Sequence, residues 1–299
     1  MKVLITGATG FLGWRSSKLL AERGHQVVAV ARPRGATRQA AADLDVLRVD
    51  AGDPSVRELI AGCVAVLHFA GVPSPAQAAS DPAGAVRENA GTTLNLLEGC
   101  REHGAGLIYP SSVRAAREPP PDVYALSKRL GEQACAQHRA KATVLRLTSV
   151  FGPGQVAWEG ATGAIAAFAA RALEGSPIVI PGDPQRRRDF VYVDDIIPAL
   201  ERIAAEELWE QTLTLGSGVA TPLVRAAELV REAAGSSSPI ETTGGELSRA
   251  ENESYSTEET LLSPLDFPVR QLEEGVGPYV EWLRRHPAAQ GRARTRSAR

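Results

Sequence analysis

Sulfur is scarce in this chain: 299 residues include three cysteines, Cys63, Cys100 and Cys135, with no CxxC spacing among them. The five histidines do not cluster with those cysteines, so neither a disulfide framework nor a zinc site is expected, and no metal is assigned. No apolar run reaches the roughly 18 residues that a membrane span needs. Excess charge of one sign is also missing: 33 Lys and Arg oppose 35 Asp and Glu, a formal net charge of −2. That balance disfavours a nucleic-acid or anionic-lipid partner and leaves small-molecule chemistry as the default, in a reducing cytoplasm. Met1–Gly7 runs straight into a short apolar segment ending at a glycine, which reads as a buried strand and not as a signal h-region.

What is present is rhythm. Through the first half, short Val/Ile/Leu-rich runs alternate with amphipathic stretches of helical length, the signature of βαβ units and a parallel sheet covered on both faces. Strands are expected at 2–6, 26–31, 46–49, 64–69, 106–111 and 142–147, with helices at 10–23, 55–61, 82–103 and 123–139. The fold class is therefore α/β, a Rossmann-like doubly wound parallel sheet whose ligand crevice lies at the strands' C-terminal ends. Residues 1–150 are expected to form the dinucleotide-binding domain, joined by returning segments near 185–220. Residues 151–286, richer in Gly and Pro turns, form a smaller C-terminal substrate lobe with helices near 164–173, 194–205 and 222–234. The last stretch, 287–299, has four arginines among small residues and is expected to be a disordered tail.

Gly7, Gly10 and Gly13 lie between the first strand and the first helix, where a pyrophosphate needs close backbone approach and helix N-terminal N–H groups. Thr9, Phe11 and Leu12 fill the same turn. Tyr124 and Lys128 are four apart on a helix and so share a face; a cation near a phenol lowers its pKa from about 10. Tyr124 is the only tyrosine followed by lysine at that spacing. Such a phenol serves as proton donor or acceptor, and a surface pair without chemistry is the alternative. After the second strand, where an acidic residue would hold the ribose of NAD, the chain reads Ala31-Arg32, with Arg34 and Arg38 nearby. Paired guanidinium donors suit a 2′-phosphate, so NADP is preferred and NAD is possible; a solvated basic loop is the other reading.

The ordered series Thr6-Gly7-Ala8-Thr9-Gly10-Phe11-Leu12-Gly13, Val49-Asp50-Ala51-Gly52-Asp53, His68-Phe69-Ala70-Gly71, Asn89-Ala90-Gly91-Thr92, Ser111-Ser112, Tyr124 to Lys128, Leu145 to Gly154 and Arg188 to Asp195 resembles the extended short-chain dehydrogenase/reductase family, in its nucleotide-sugar epimerase and reductase branch. The resemblance spans about residues 1–285. It implies a catalytic set of Ser112, Tyr124 and Lys128, and cofactor contacts from the glycine turn, Arg32, Asp50, Ala51, Phe69, Ala70, Gly71 and Leu147. It also implies substrate contacts from Ser149 and Arg188, the latter pairing with a nucleotide-sugar diphosphate, although Arg186-Arg187-Arg188 also reads as a solvated charge run. Asp50 alternatively caps its turn, and Ser112 alternatively satisfies strand-end backbone. A homodimer through the helices carrying Asn89 and Tyr124 is implied as well.

Two departures narrow the chemistry. Val113-Arg114 stands where the family's 4,6-dehydratases carry an Asp-Glu pair, so dehydration is disfavoured. The tyrosine-glycine element that often follows the serine is absent. The expected function is an NADP(H)-dependent ketoreductase acting on a nucleotide-linked keto-sugar, with Tyr124 as acid/base. A redox-neutral nucleotide-sugar epimerase is the alternative, and a non-catalytic nicotinamide-binding regulatory protein a second one.

Overall fold

A computed structural model describes residues 1–33, 44–160, 162–244 and 269–290. The chain divides into two compact units. The first comprises residues 1–147 and 196–215 among those described, and holds a seven-stranded sheet in which every pairing is parallel. Its strands are β1 (Lys2–Thr6), β2 (Gln26–Ala31), β3 (Val46–Arg48), β4 (Ala65–His68), β5 (Gly106–Ser112), β6 (Ala142–Leu147) and β10 (Thr212–Leu215), in the order β10-β6-β5-β4-β1-β2-β3. The order reverses between β1 and β4, and a crevice at the strands' C-terminal ends belongs at such a reversal. Continuous apolar runs such as Val3-Leu4-Ile5 and Val66-Leu67 are fully buried, as parallel strands covered on both faces require.

Helices α1 (Phe11–Glu22), α4 (Thr92–His103), α5 (Val123–Gln137) and α7 (Ile196–Ala205) belong to the same unit, with the short α2 (Pro75–Ser80) and α3 (Pro82–Val86). Two expected helices differ. The segment expected over 82–103 is interrupted at Arg87–Gly91 by a π turn, because the Asn89 side chain bonds outside its own helix: it accepts from Val72 N–H at 2.9 Å and donates to Ser127 Oγ at 2.9 Å. The segment expected over 55–61 is a 3₁₀ turn, Pro54–Ile60, started by Asp53, which accepts from Ser55 N–H at 2.8 Å. Strand ends β3 and β4 are each one or two residues shorter than expected.

The second unit comprises residues 148–195, 216–244 and 269–290 among those described. It contains a three-stranded sheet of β7 (Ser149–Phe151), β9 (Arg187–Tyr192) and β11 (Ala220–Pro222), and a parallel pair of β8 (Ile178–Pro181) and β12 (Ile240–Thr243). Helices α6 (Ala164–Glu174), α8 (Leu223–Ala233) and α9 (Leu272–Arg285) pack around a core that includes Phe151, Phe168, Phe190 and Tyr279. Residues 287–290 form a helical turn, and the remainder of the expected tail, like Arg34 and Arg38, lies outside the described residues. No described helix is long and apolar enough to cross a membrane, and no group of metal-ligating side chains is found among the described residues.

Candidate functional site

The glycine turn sits where β1 ends. Gly7 adopts φ +66°, in the left-handed region, and a Cβ there would meet the Phe69 carbonyl and Ala70 nitrogen at 2.7 Å. A Cβ on Gly13 would lie 2.2 Å from the Gly7 oxygen, so the backbone at these two positions stacks with no room for a side chain. Gly10 is the N-cap of α1 and offers no side-chain cap to the first N–H groups of this twelve-residue helix. A cradle closed to side chains and an uncapped helix N-terminus fit the pyrophosphate of a dinucleotide.

Next to the turn, β4 ends in the buried His68. Its Nδ1 is 2.9 Å from Thr6 Oγ1 and its Nε2 is 3.2 Å from Thr92 Oγ1. The Thr92 hydroxyl spends its proton on the Glu88 carbonyl, so it accepts from His68 Nε2–H, and Nδ1 accepts from Thr6. Thr6 Oγ1 in turn accepts from Ala70 N–H at 3.1 Å. This directed chain fixes the Phe69-Ala70-Gly71 loop against β1. Burial, with a smaller contribution from Lys128, holds the imidazole at about 3, neutral throughout the physiological range.

Arg32, at the end of β2, is 60% exposed and lies 3.8 Å from the Glu88 carboxylate. Asp50 accepts from Gly52 N–H at 2.8 Å, and Ala51 is buried with its carbonyl accepting from Asn95. Leu147, at the end of β6, is buried in register with Ser112.

Helix α5 begins at Asp122, whose carboxylate caps Ala125 N–H at 2.8 Å. Gly131 lets this helix lie close to β5, since a Cβ there would sit 2.2 Å from the Tyr109 hydroxyl. The same approach delivers Lys128 to β5: its ammonium donates to the Pro110 carbonyl at 2.8 Å and sits 4.9 Å from the centre of the Tyr109 ring. Burial lowers the Lys128 ammonium to about 8, against an opposing pull from Glu132.

Ser112 ends β5, and Tyr124 lies in the first turn of α5, the helix packed on that strand. Although the residue is only half-buried overall, enclosure of the phenol raises it to about 12; the Arg114 cation and the Ser112 hydroxyl act downward, and Asp122 acts upward. Ser112, Tyr124 and Lys128 thus lie together at the C-terminal end of β5. Ser149 and Arg188 belong to the other unit. Ser149 stands opposite Phe190 on β7, and Arg188 lies on β9 opposite Thr221, partly exposed, with its guanidinium donating to the Arg187 carbonyl at 2.8 Å. The arginine run is not uniform: Arg186 is buried and donates to the Pro181 and Asp183 carbonyls, whereas Arg187 is exposed.

Three features of the site escape a reading of the sequence by motif. Glu132, one turn beyond Lys128, is buried and bound by Arg146 at 2.9 and 2.6 Å and by Ser111 at 2.5 Å, tying α5 to the ends of β5 and β6. Its i+4 spacing from Lys128 was a usable signal. The second is the bonding of Asn89: the residue stands in the family series, but its bonds to Val72 and Ser127 do not follow from that series. The Arg114–Asp122 ion pair is the third, and only the Asp122 cap had a local signature.

Comparison with known proteins agrees with this architecture. The model of the NAD dependent epimerase/dehydratase family matches residues 3–211. A UDP-glucose 4-epimerase of Mycolicibacterium smegmatis is 26% identical over 95% of this chain and 99% of its own length. The crystal structure of a Thermotoga maritima UDP-glucose 4-epimerase with UDP-glucose superposes with a TM-score of 0.80 at 25% identity, covering 95% of this chain and 99% of that one. A Thermus thermophilus UDP-glucose 4-epimerase in complex with NAD gives a TM-score of 0.79 at 26% identity, with the same coverage. The glycine cradle, the Ser112–Tyr124–Lys128 cluster and a family match over more than two thirds of its length place this chain in the NAD dependent epimerase/dehydratase family, as a nicotinamide-dependent enzyme of the extended short-chain dehydrogenase/reductase type.

Proposed function

We propose that this protein is a redox-neutral nucleotide-sugar epimerase acting at a secondary hydroxyl of the sugar. The observation that carries the reading is the Ser112–Tyr124–Lys128 cluster on a chain that aligns end to end with UDP-glucose 4-epimerases. The ketoreductase expected from the sequence ranks second, because its main support is Arg32 alone.

A bound nicotinamide dinucleotide supplies the hydride acceptor and donor. Tyr124 takes the proton from the sugar hydroxyl and later returns it, so it works as base and acid within one turnover. Ser112, whose oxygen already accepts from Arg114 N–H at 3.2 Å, has its own proton to donate to the reacting oxygen. Lys128 contributes positive charge beneath the site and is the residue offered to the cofactor's ribose. Arg188 is the proposed partner of the diphosphate, with Ser149 beside the sugar. A homodimer through α4 and α5, on which Leu94 and Leu126 are 49% and 42% exposed, completes the proposal.

Incubation with UDP-glucose, UDP-glucuronate or UDP-N-acetylglucosamine is expected to yield the C4 epimer with no net consumption of dinucleotide. Stoichiometric oxidation of added NADPH by a keto-sugar, with no epimer formed, would establish the reductase instead.

Cofactor preference rests on Arg32. If its guanidinium clamps a 2′-phosphate, Arg32→Ala weakens NADP(H) about tenfold while NAD(H) is nearly unaffected, the loss expected for about one charge-assisted hydrogen bond. Equal affinities for the two dinucleotides in wild type and variant, measured by calorimetry, would overturn the phosphate clamp and leave Arg32 as a partner of Glu88.

A further inference from the structure

Residues 113–118 leave the C-terminal end of β5, the end at which an open parallel sheet carries its ligand crevice. Ser112 caps the 3₁₀ turn Val113–Ala116 that opens this segment. Its Oγ accepts from Arg114 N–H at 3.2 Å, which uses the oxygen as an acceptor and leaves the hydroxyl proton to be given elsewhere. A single 3₁₀ turn is weak on its own, because its bonds are poorly aligned and it is too short to gain from propagation. Here it closes on Arg117 N–H donating to the Arg114 carbonyl at the long distance of 3.3 Å.

Helix α5 supplies what the turn lacks. Arg129 donates from Nε to the Ala115 carbonyl at 2.9 Å and from one terminal nitrogen to the Arg117 carbonyl at 2.8 Å; its other terminal nitrogen pairs with the Glu118 carboxylate. Ala115 lies in the turn and Arg117 is its C-cap, where carbonyls have no intrahelical donor. One guanidinium thus spans acceptors on residues 115, 117 and 118, a reach that a planar fork of donors provides and an ammonium does not. The Arg129 side chain is 21% exposed and that of Glu118 79%, so solvent screens the ion pair and the two carbonyl bonds carry most of the hold. Consecutive residues of α5 therefore fix the strand end on both sides of Ser112: Lys128 holds the Pro110 carbonyl, two residues before it, and Arg129 holds the Ala115 carbonyl, three residues after it.

We propose that Arg129 is a positioning residue for Ser112: by pinning the far end of the 3₁₀ turn to α5, it keeps the Arg114 N–H on the Ser112 oxygen and so holds the hydroxyl in a fixed orientation with its proton left for the reacting oxygen. This rests on the reading of Ser112 as the donor to that oxygen.

Two measurements on the full chain test it. Amide exchange resolved to single residues is expected to show the Arg114 and Arg117 N–H groups exchanging about tenfold faster in Arg129→Met than in wild type, the effect of losing one or two charge-assisted hydrogen bonds across the turn. Met keeps the apolar stem and removes the donors. Should Met prevent folding, Arg129→Lys, which keeps stem and charge but not the fork, makes the same comparison. Glu118→Gln, which removes only the exposed ion pair, is expected to exchange as wild type does. The second measurement is single-turnover reduction of bound dinucleotide by UDP-glucose, UDP-glucuronate or UDP-N-acetylglucosamine, which registers slow variants. Arg129→Met is expected to slow this step about tenfold with sugar-nucleotide affinity unchanged, and to cause no further slowing in Ser112→Ala, which has no hydroxyl to orient. A merely structural strap would slow both backgrounds alike. Unchanged exchange at Arg114 and Arg117 in Arg129→Met, exchange in Glu118→Gln as fast as in Arg129→Met, or equal slowing in the Ser112→Ala background overturns the proposal. The exchange measurement needs no substrate, so a wild type without turnover counts against the epimerase reading while exchange still decides the strap.

Discussion

Tyr124→Phe is expected to lower kcat/KM by about 10²–10⁴-fold, the range set by loss of a positioned general acid/base, while the fold and the affinity for dinucleotide stay near those of wild type. The substitution removes one hydroxyl and keeps the ring, so the packing of α5 on β5, carried by Gly131 and Tyr109, is undisturbed. Tyr124 as a residue is half-buried, and the Ser112 oxygen keeps the Arg114 N–H in the variant as in wild type. Steady-state epimerisation, with dinucleotide binding measured in parallel, checks the result. Unchanged turnover would mean that the proton moves through another group, and the assignments of Ser112 and Lys128 would fall with it. The phenol at about 12 is protonated across the working range in the ligand-free site, so the direction in which Tyr124 must act as base is expected to quicken as pH rises.

Gly13→Ala carries the second large effect. The added methyl would stand 2.2 Å from the Gly7 oxygen, 2.7 Å from its carbonyl carbon and 3.0 Å from the Ala8 Cα. All three are backbone atoms, so no rotamer relieves the clash and the turn itself must open. Overpacking of this kind costs about 1–3 kcal/mol in stability. Dinucleotide affinity is expected to fall by about two orders of magnitude, about 2.7 kcal/mol, because the displaced segment carries the N–H groups that face the pyrophosphate. Chemical denaturation and dinucleotide titration separate the two losses. Gly277→Ala, in α9 with nothing within 4 Å of the new Cβ, is the control expected to bind as wild type does. Near-normal dinucleotide binding by Gly13→Ala would show that the pyrophosphate does not depend on this cradle.

Much of the first unit is legible in the residue order. The strand-turn-helix at the N-terminus is a local pattern in which apolar run, glycines and helical periodicity follow one another, and β1 and α1 appear within a residue or so of their expected ends. The Tyr124–Lys128 pair is legible because i and i+4 share a helix face wherever the helix goes. The π turn at Arg87–Gly91 is not, since its cause is a set of bonds from Asn89 to Val72 and Ser127, residues 17 and 38 positions away. Arg114 reads only as a departure from a family pattern, for the same reason: its partner Asp122 is brought near by the packing of the loop on α5.

The residue order by itself determined the parallel α/β fold, the glycine turn and the shared helix face of Tyr124 and Lys128, because each follows from periodicity, backbone sterics or spacing within a single element; Ser112 entered through the family resemblance. Only the tertiary structure decided which charge acts on which group. Burial on β5 turned Lys128 toward the Pro110 carbonyl, and the Asp122 cap of α5 drew the Arg114 guanidinium into an ion pair. Electrostatic effects fall off with distance and with solvent, and both are properties of the folded chain that no one-dimensional spacing encodes.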